Sequence, residues 1–314
     1  MPSAEIDDIG AGEIRHLALV GPTASGKTEI AIAVAKELGD VEIVVADAMC
    51  VYRRMDIGTA KPTRAQQAEV PHHLLDLADP SEDFSIGRLQ RTAAEVVQQI
   101  EARERRALVV GGSGLYVRAI VDGYAPPPQY AEARAELEEE ADTERLHARL
   151  AELDPVAASR MEPNNRRRVL RALEVTVGSG TPFSQHGAAV SDYPPSRFRQ
   201  AGIWTPREVL AQRIEQRYAA QMQEGFLDEV RALRDLDPPM SRTAAQGLGY
   251  RELLAHLGGV TSLEDALESA ISRTRAFARR QRVWFRRDPR ITWLGSSGDP
   301  QSLVPALLGD WERQ

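Results

Sequence analysis

The chain has 314 residues, 42% of them hydrophobic and 27% charged, with a formal net charge of −7. That is an ordinary composition for a globular protein with a sizeable core, and at roughly 150 residues per domain it allows one large domain or two smaller ones. An acidic whole excludes a globally basic nucleic-acid binder, so any basic surface must be local, and the single cysteine, Cys50, excludes an internal disulfide or a cysteine-built zinc site.

The first eleven residues carry Glu5, Asp7 and Asp8 with no apolar run, unlike a secretory signal. No apolar stretch approaches the length of a membrane span, so the cytoplasm is the expected location. Leu17–Val20 is a short apolar run entering Gly21 and Pro22, and it reads as a buried parallel strand. A helix follows with Ile30, Ala33, Val34 and Leu38 on one face, ended by Gly39 and Asp40. Glu42–Asp47 reads as a second strand. Ile86, Leu89, Ala93, Val96, Val97 and Ile100 repeat at helical spacing, and Ala107–Val110 forms a third strand stopped by Gly111 and Gly112. Strand, helix, strand, helix, strand predicts an open parallel α/β sheet. The composition changes after Gly123, where Pro126, Pro127 and Pro128 break the chain. We read 12–122 as the first part of the core, 123–200 as a helical insertion, and 201–314 as helices completing the core. Three helices are expected from Pro206 to Arg287, the last with Leu263, Leu267, Ala270, Ile271, Phe277, Ala278 and Trp284 on one face. Ile291–Leu294 is a candidate final strand.

Gly21, Pro22, Thr23, Ala24, Ser25, Gly26, Lys27 and Thr28 fit the pattern G-x-x-x-x-G-K-[ST] between a strand and a helix. Glycines let backbone N–H groups turn inward around an anion, and the helix N-terminus adds positive potential. Lys27 neutralises phosphate charge, and the Thr28 hydroxyl can ligate Mg²⁺. The motif indicates a diphosphate or triphosphate without specifying ATP. Asp47 falls at the carboxyl end of the second strand, the edge where open α/β sheets bind ligands. There it can take a proton from a nucleophile or hold a metal through water; the alternative is a strand-end cap. The third strand ends in Gly111, Gly112, Ser113 and Gly114, without the acidic residue usual in ATPases. Asp56 lies in a loop structured by Gly58 and Pro62, and His72 and His73 lack metal-ligand spacing.

Arg213 and Arg217 share a helix face. They either clamp a departing diphosphate or form a solvated face with Glu215 or Asp228. Arg166, Arg167, Arg168 and Arg171 form a basic block in the insertion. Arg275, Arg279, Arg282 and Arg286 form one stripe of the last helix, with Phe277, Trp284 and Phe285 interleaved. Such patches suit a nucleic-acid backbone or an ordinary charged helix face.

These segments resemble a known family. Residues 21–28 read GPTASGKT, 47–62 read DAMCVYRRMDIGTAKP, 71–76 read PHHLLD, and 109–116 read VVGGSGLY. Further on, 171–175 read RALEV, 247–251 read GLGYR, and 273–286 read RTRAFARRQRVWFR. In this order, over nearly the whole chain, they are similar to bacterial tRNA dimethylallyltransferases, also called tRNA isopentenyltransferases. The resemblance implies a P-loop NTPase-like core with a helical insertion. It implies transfer of a dimethylallyl group from its diphosphate to N6 of adenosine 37 in tRNA, with Mg²⁺ held at Thr28. Asp47 is then the general base, Gly21 to Thr28 the diphosphate loop, and Arg217, with Thr23, the group that neutralises the leaving diphosphate. Contacts to the anticodon stem-loop are implied for Asp47, Ala48, Met49, Cys50, Ser113 and Arg134. The same is implied for Arg167, Arg168, Val169, Leu170 and Arg171, and for Gln246, Gly247, Leu248, Gly249, Tyr250 and Arg251. No membrane and no protein partner is implied, and a monomer is expected. The chain departs from the family pattern in having Cys50 where a glutamine is usual, and cysteine cannot make the same bidentate contact to a base edge. Ala48 stands for a common serine and Ser113 for a common threonine. The competing readings are a small-molecule P-loop kinase using ATP, a prenyltransferase for free adenine nucleotides, and a non-catalytic nucleotide-binding RNA partner.

Overall fold

A computed structural model describes residues 15–186, 192–295 and 298–312. Six strands form one sheet: β1 (His16–Val20), β2 (Val41–Ala46), β3 (His72–His73), β4 (Arg106–Gly111), β5 (Phe198–Trp204) and β6 (Ile291–Gly295). All neighbours are parallel, in the order β3-β2-β4-β1-β5-β6. Parallel strands need crossover connections. These are supplied by α1 (Lys27–Leu38), α2 (Arg64–Glu69), α3 (Ile86–Ala102) and α4 (Gly114–Val121). The insertion carries α5 (Ala131–Glu138), α6 (Thr143–Leu153), α7 (Pro155–Ser159) and α8 (Arg166–Ser179). After β5 come α9 (Arg207–Gln223), α10 (Phe226–Arg234), α11 (Arg242–Ala245), α12 (Tyr250–Leu257) and α13 (Leu263–Phe285), and α14 (Val304–Glu312) follows β6.

Strand alternation sorts the core into two layers. Leu17, Leu19, Ile43, Val45, Leu108 and Val110 face α1 and α14, meeting Ile30, Val34, Leu307 and Trp311. Ala18, Val20, Val44, Ala46 and Val109 face the other way, toward Leu89 and Ala93 of α3, Val117 of α4, and Ile214, Phe226 and Leu253 from the helices after β5. Both faces are covered, which is why these strands read as continuous apolar runs. The insertion is a second compact unit, residues 125–192. It has its own core of Leu137, Leu146, Leu150, Val169, Leu170 and Leu173. No helix among the described residues is long and apolar enough to cross a membrane.

Several elements differ from the sequence reading. The boundary placed at residue 200 falls inside β5, because Arg199 and Gln200 interrupt an otherwise apolar strand and mask its start. Five helices, not three, lie between Pro206 and Arg287. One extra break is at Gly225, whose φ of 97° ends α9; the other adds the short α11. The two-residue edge strand β3, paired with Ile43 and Val44, carries no periodicity to read. On α13 the buried stripe is Ala266, Ala270, Thr274, Ala278, Gln281, Arg282 and Phe285, so two residues of the supposed surface stripe's neighbourhood, Gln281 and Arg282, point inward.

Register positions the functional edge. Gly111 of β4 stands opposite both Val20 of β1 and Ala46 of β2. Gly21, Asp47 and Gly112 therefore leave the sheet side by side. The loop that follows Asp47 is fastened from below. Backbone N–H groups of Asp56, Ile57 and Gly58 donate to the Glu229 carboxylate of α10 at 2.8, 2.8 and 3.1 Å, and Gln221 donates to the Ile57 carbonyl. Lys61, buried, bridges Asp56 and Asp76 at 2.5 and 2.7 Å and donates to the Tyr52 carbonyl. Gly58 lies against an edge-on aromatic pair, Phe226 and Tyr250; a Cβ there would stand 2.2 Å from the Phe226 ring. Gly58→Ala must therefore push aromatic core apart. We expect a loss of about 1–3 kcal/mol, read as a lowered urea midpoint at unchanged slope. An unaltered midpoint would contradict this packing.

Candidate active site

At the carboxyl edge of the sheet lies a cavity of about 340 Å³. Residues Thr23 to Glu29 form its floor; Asp47, Cys50, Arg217, Phe277 and Gln281 stand around it. The floor is the strand-to-helix turn between β1 and α1. Its backbone amides and the start of α1 give it positive potential. Lys27 Nζ donates to the Pro22 carbonyl at 2.7 Å, folding the ammonium back over the turn. Burial lowers the Lys27 pKa to about 8; Asp47 opposes that shift and Arg217 adds to it. Two cations, Lys27 and Arg217, thus share the cavity with two carboxylates, the exposed Glu29 at its rim and Asp47 across from the turn.

Thr23 is held from two sides. Its hydroxyl accepts from Arg217 Nη1 at 2.8 Å, and its backbone N–H donates to Gln281 Oε1 at 2.8 Å. Burial also lowers the Arg217 pKa, within a range where a guanidinium stays charged. Ser25 Oγ and Arg217 Nε are buried without a partner among the described residues. Both can donate, and buried donors left over at a cavity are what an anionic ligand satisfies.

Asp47 follows β2 directly. Its Oδ1 accepts from the N–H groups of Met49 and Cys50 at 2.8 and 3.2 Å. Those bonds turn the chain and hold the carboxylate as a strand-end cap. The carboxylate lines the cavity, where such a group can take a proton. Cys50 is buried beside it, its thiol near the Thr59 carbonyl at 4.0 Å. Burial, reinforced by Asp47, pushes that thiol's pKa up, so it stays a neutral wall of the cavity rather than a nucleophile.

The structure brings Thr23, Ala24, Ser25, Gly26, Lys27, Thr28, Asp47, Cys50 and Arg217 together around one space. Gly21 and Pro22 sit behind the floor, at the root of the turn. Arg213 does not join Arg217; it donates to the Gly298 carbonyl at 2.6 Å. Ala48 and Met49 turn toward the core. The Met49 sulfur lies 3.1 Å from where a Cβ on Gly247 would stand, so the turn at 47–50 abuts the segment Gln246 to Arg251. Within that segment Tyr250 is 1% exposed and donates to Glu229 at 2.7 Å. Gly247 and Gly249 are buried, Leu248 is half-buried, and Gln246 and Arg251 are exposed. Ser113 is half-buried at the start of α4. In the insertion, Val169 and Leu170 are core residues, Arg134 pairs with Glu138 and Glu174, and Arg171 is held by Glu174 and the Pro127 carbonyl. Arg167 and Arg168 are exposed. The exposed side chains of these two segments are therefore Arg167, Arg168, Gln246 and Arg251. The arginine stripe on α13 is shorter than its spacing suggests. Arg282 is buried over the Trp204 ring at 4.4 Å and donates to the Thr205 carbonyl, and Arg275 pairs with Glu215.

Gln281 and Glu229 escaped the sequence reading, and Phe277, read there as part of the apolar face and aromatic stripe of the last helix, turns out to line the cavity. Gln281 and Phe277 come from α13, far along the chain, and Glu229 anchors the 56–58 loop. A glutamine on the otherwise small or apolar stripe 270, 274, 278, 281, 285 is the signal that marks Gln281. No group of three His, Cys, Asp or Glu side chains that could hold a metal occurs among the described residues. An all-protein metal cage is not how a cation would be bound here. Thr28 faces the cavity, and one hydroxyl completed by ligand phosphate oxygens and water suits Mg²⁺, which keeps much of its hydration.

This geometry has close relatives. The profile of a family described as IPP transferase matches residues 50–288. The chain is 43% identical over 302 residues to a tRNA dimethylallyltransferase of Desulforudis audaxviator, covering 94% of this chain and 97% of that one. It is 45% identical over 285 residues to one of Symbiobacterium thermophilum, covering 89% of each. Among solved structures, the tRNA isopentenylpyrophosphate transferase of Bacillus halodurans superimposes with a TM-score of 0.68 at 34% identity, over 96% of this chain and 97% of that one. A eukaryotic dimethylallyltransferase acting on tRNA shares the fold, with a TM-score of 0.77 at 24% identity over 94% of this chain and 77% of that one. A family match across more than half of the chain, with relatives of this identity along nearly its full length, makes the chain a member of the IPP transferase family.

Proposed function

We propose that the chain is a tRNA prenyltransferase that moves a dimethylallyl group from its diphosphate to N6 of adenosine 37, beside the anticodon. The observation that carries this reading is a proton acceptor, Asp47, sharing one cavity with an anion cradle and two cations. In this reaction N6 attacks the allylic carbon, the carbon–oxygen bond to diphosphate breaks with its electron pair leaving on oxygen, and the N6 proton passes to the Asp47 carboxylate. Developing negative charge on the departing oxygen meets Lys27, Arg217 and the amides of the turn, placed in advance. Mg²⁺, when bound through Thr28 and the phosphates, supplies further charge neutralisation at the diphosphate. The adenine must leave its stack, a cost of a few kcal/mol that RNA contacts along 47–50, 113, 134, 167–171 and 246–251 would offset. A cytoplasmic location follows from a tRNA substrate. The glycine-only end of β4, without a second carboxylate for a nucleotide's metal, supports this reading over a small-molecule kinase.

Mass spectrometry of tRNA after incubation with dimethylallyl diphosphate and Mg²⁺ tests it directly. A gain of about 68 daltons is expected, the five carbons and nine hydrogens of the dimethylallyl group less the N6 hydrogen that it replaces. Prenylated AMP with unmodified tRNA, or phosphate transfer from ATP, would replace the reading with one of its rivals. Two predictions follow from the side chains. Asp47→Asn keeps a polar group at the turn but cannot take the proton; kcat should fall by about 10²–10⁴-fold, with binding of the anticodon stem-loop nearly unchanged. Lys27 in the free enzyme loses its proton as pH rises through about 8. The anionic substrate favours protonated Lys27, so kcat/KM for the diphosphate should be flat below that pH and decline about tenfold per pH unit above it. Lys27→Arg, with a cation that does not titrate there, should show no such decline, whatever its overall rate.

A further inference from the structure

We propose that Gln281 is the positioning residue of the diphosphate loop: one side-chain amide that locks the tip of the phosphate turn to the end of β4. It comes from near the C-terminal end of α13 and is 5% exposed. Its Oε1 accepts from the Thr23 N–H at 2.8 Å, and its Nε2 donates to the Gly112 carbonyl at 2.8 Å. The two partners belong to different strand ends of the same sheet edge. Only a neutral amide of this length satisfies both. A carboxylate accepts from Thr23 but cannot donate to Gly112, and it sets a negative charge beside an anion site. A lysine or arginine donates but cannot accept. An asparagine is one methylene shorter. The slot is built for it: a Cβ on Gly112 would stand 2.4 Å from Gln281 Nε2.

The consequence lies in what Thr23 does next. With its N–H committed to Gln281, the residue is oriented so that its hydroxyl meets Arg217 Nη1 at 2.8 Å. Gln281 thus acts through Thr23 on Arg217, the cation aimed at the diphosphate. It touches no reacting atom. Losing it frees the turn to rotate, leaves the Gly112 carbonyl unpaired in a buried place, and lets Thr23 and Arg217 drift from a shared geometry. Misplacement on that scale costs binding and rate without dismantling the fold.

Calorimetric titration with inorganic pyrophosphate and Mg²⁺ tests the assignment, using the full chain and two variants. Gln281→Met fills the slot without either hydrogen bond. It should weaken pyrophosphate binding about tenfold or more, the loss expected when two hydrogen bonds that orient a charged ligand's donors go. Gln281→Glu should weaken it further. Binding of tRNA should stay within about twofold of wild type, which a general structural defect would not spare. Thr23→Ala removes the link to Arg217, so adding Gln281→Met to it should cost little more, a non-additivity diagnostic of one chain of action. Wild-type pyrophosphate affinity in either Gln281 variant, or losses that multiply in the double variant, would overturn the proposal. The assignment rests on the prenyl-transfer reading only for its kinetic consequence, a raised KM for dimethylallyl diphosphate. If the wild-type enzyme prenylates no tRNA while Gln281→Met still loses pyrophosphate, that reading fails and the positioning role stands.

Discussion

Strand β4 is hydrogen-bonded on both sides, to β1 and to β2, and its Gly111 is in register with the last residue of each. The remaining geometry follows from this pairing. Adjacent strands stand about 4.8 Å apart, so the chain leaving β1 and the chain leaving β2 are separated by about 10 Å at the same height. Between them β4 ends in glycines, which put no side chain into the gap. One exit becomes a turn of inward N–H groups, and the other presents a carboxylate. A diphosphate held at the first can have its attached carbon approached from the second. A register slip of one residue would send Asp47 to the opposite face of the sheet, and the same residues would then make no site.

The cavity's electrostatics depend on burial as much as on sign. Lys27 is desolvated before any ligand arrives, as its lowered pKa records. Arg217 is similarly stripped of water, yet its intrinsic basicity keeps it charged. These desolvation costs are met in folding, by the cores on both faces of the sheet, and not at the moment of reaction. That is the sense in which a preorganised site stabilises charge more strongly than water does. The whole molecule carries a charge of −7, so attraction for anions is confined to this edge and to arginines that remain free of internal pairing. Arg282 shows the distinction. It belongs to a basic stripe by spacing, but in space it covers an indole and satisfies a backbone carbonyl.

What the sequence revealed and what it concealed divide along physical lines. The turn from Gly21 to Thr28 and the strand-end Asp47 were readable because their chemistry is local: the residues that make the anion cradle are consecutive. Continuous apolar runs marked β1, β2 and β4, since burial on both faces leaves mostly apolar residues. Arg217 was recognised as a candidate, but its partner Thr23 lies 194 positions away, and no local pattern reports such a meeting. Gln281 was hidden by its neighbours, set in a helix so rich in arginine that charge dominated its reading. The end of the insertion was misplaced because β5 carries Arg199 and Gln200 toward its start, polar residues that a one-dimensional hydrophobicity pattern takes for loop.

The segment from Met55 to Pro62 shows how a specific sequence can be specific for structural reasons. None of its acidic or basic groups reaches the cavity floor. Lys61 is used up between Asp56, Asp76 and a backbone carbonyl. Three consecutive amides, 56 to 58, converge on the Glu229 carboxylate, an arrangement that needs a tight backbone path and therefore a fixed sequence. Tyr250 donates to the same carboxylate, so the loop and the segment Gln246 to Arg251 are registered on one anion. Hydrogen bonds to a charged acceptor contribute about 1.5–3 kcal/mol each, and four of them converge here. What they hold in place is Thr59, Ala60 and Pro62, which close the side of the cavity next to Cys50. The loop shapes the room in which Asp47 works, and its residues are constrained because each one is a fastening.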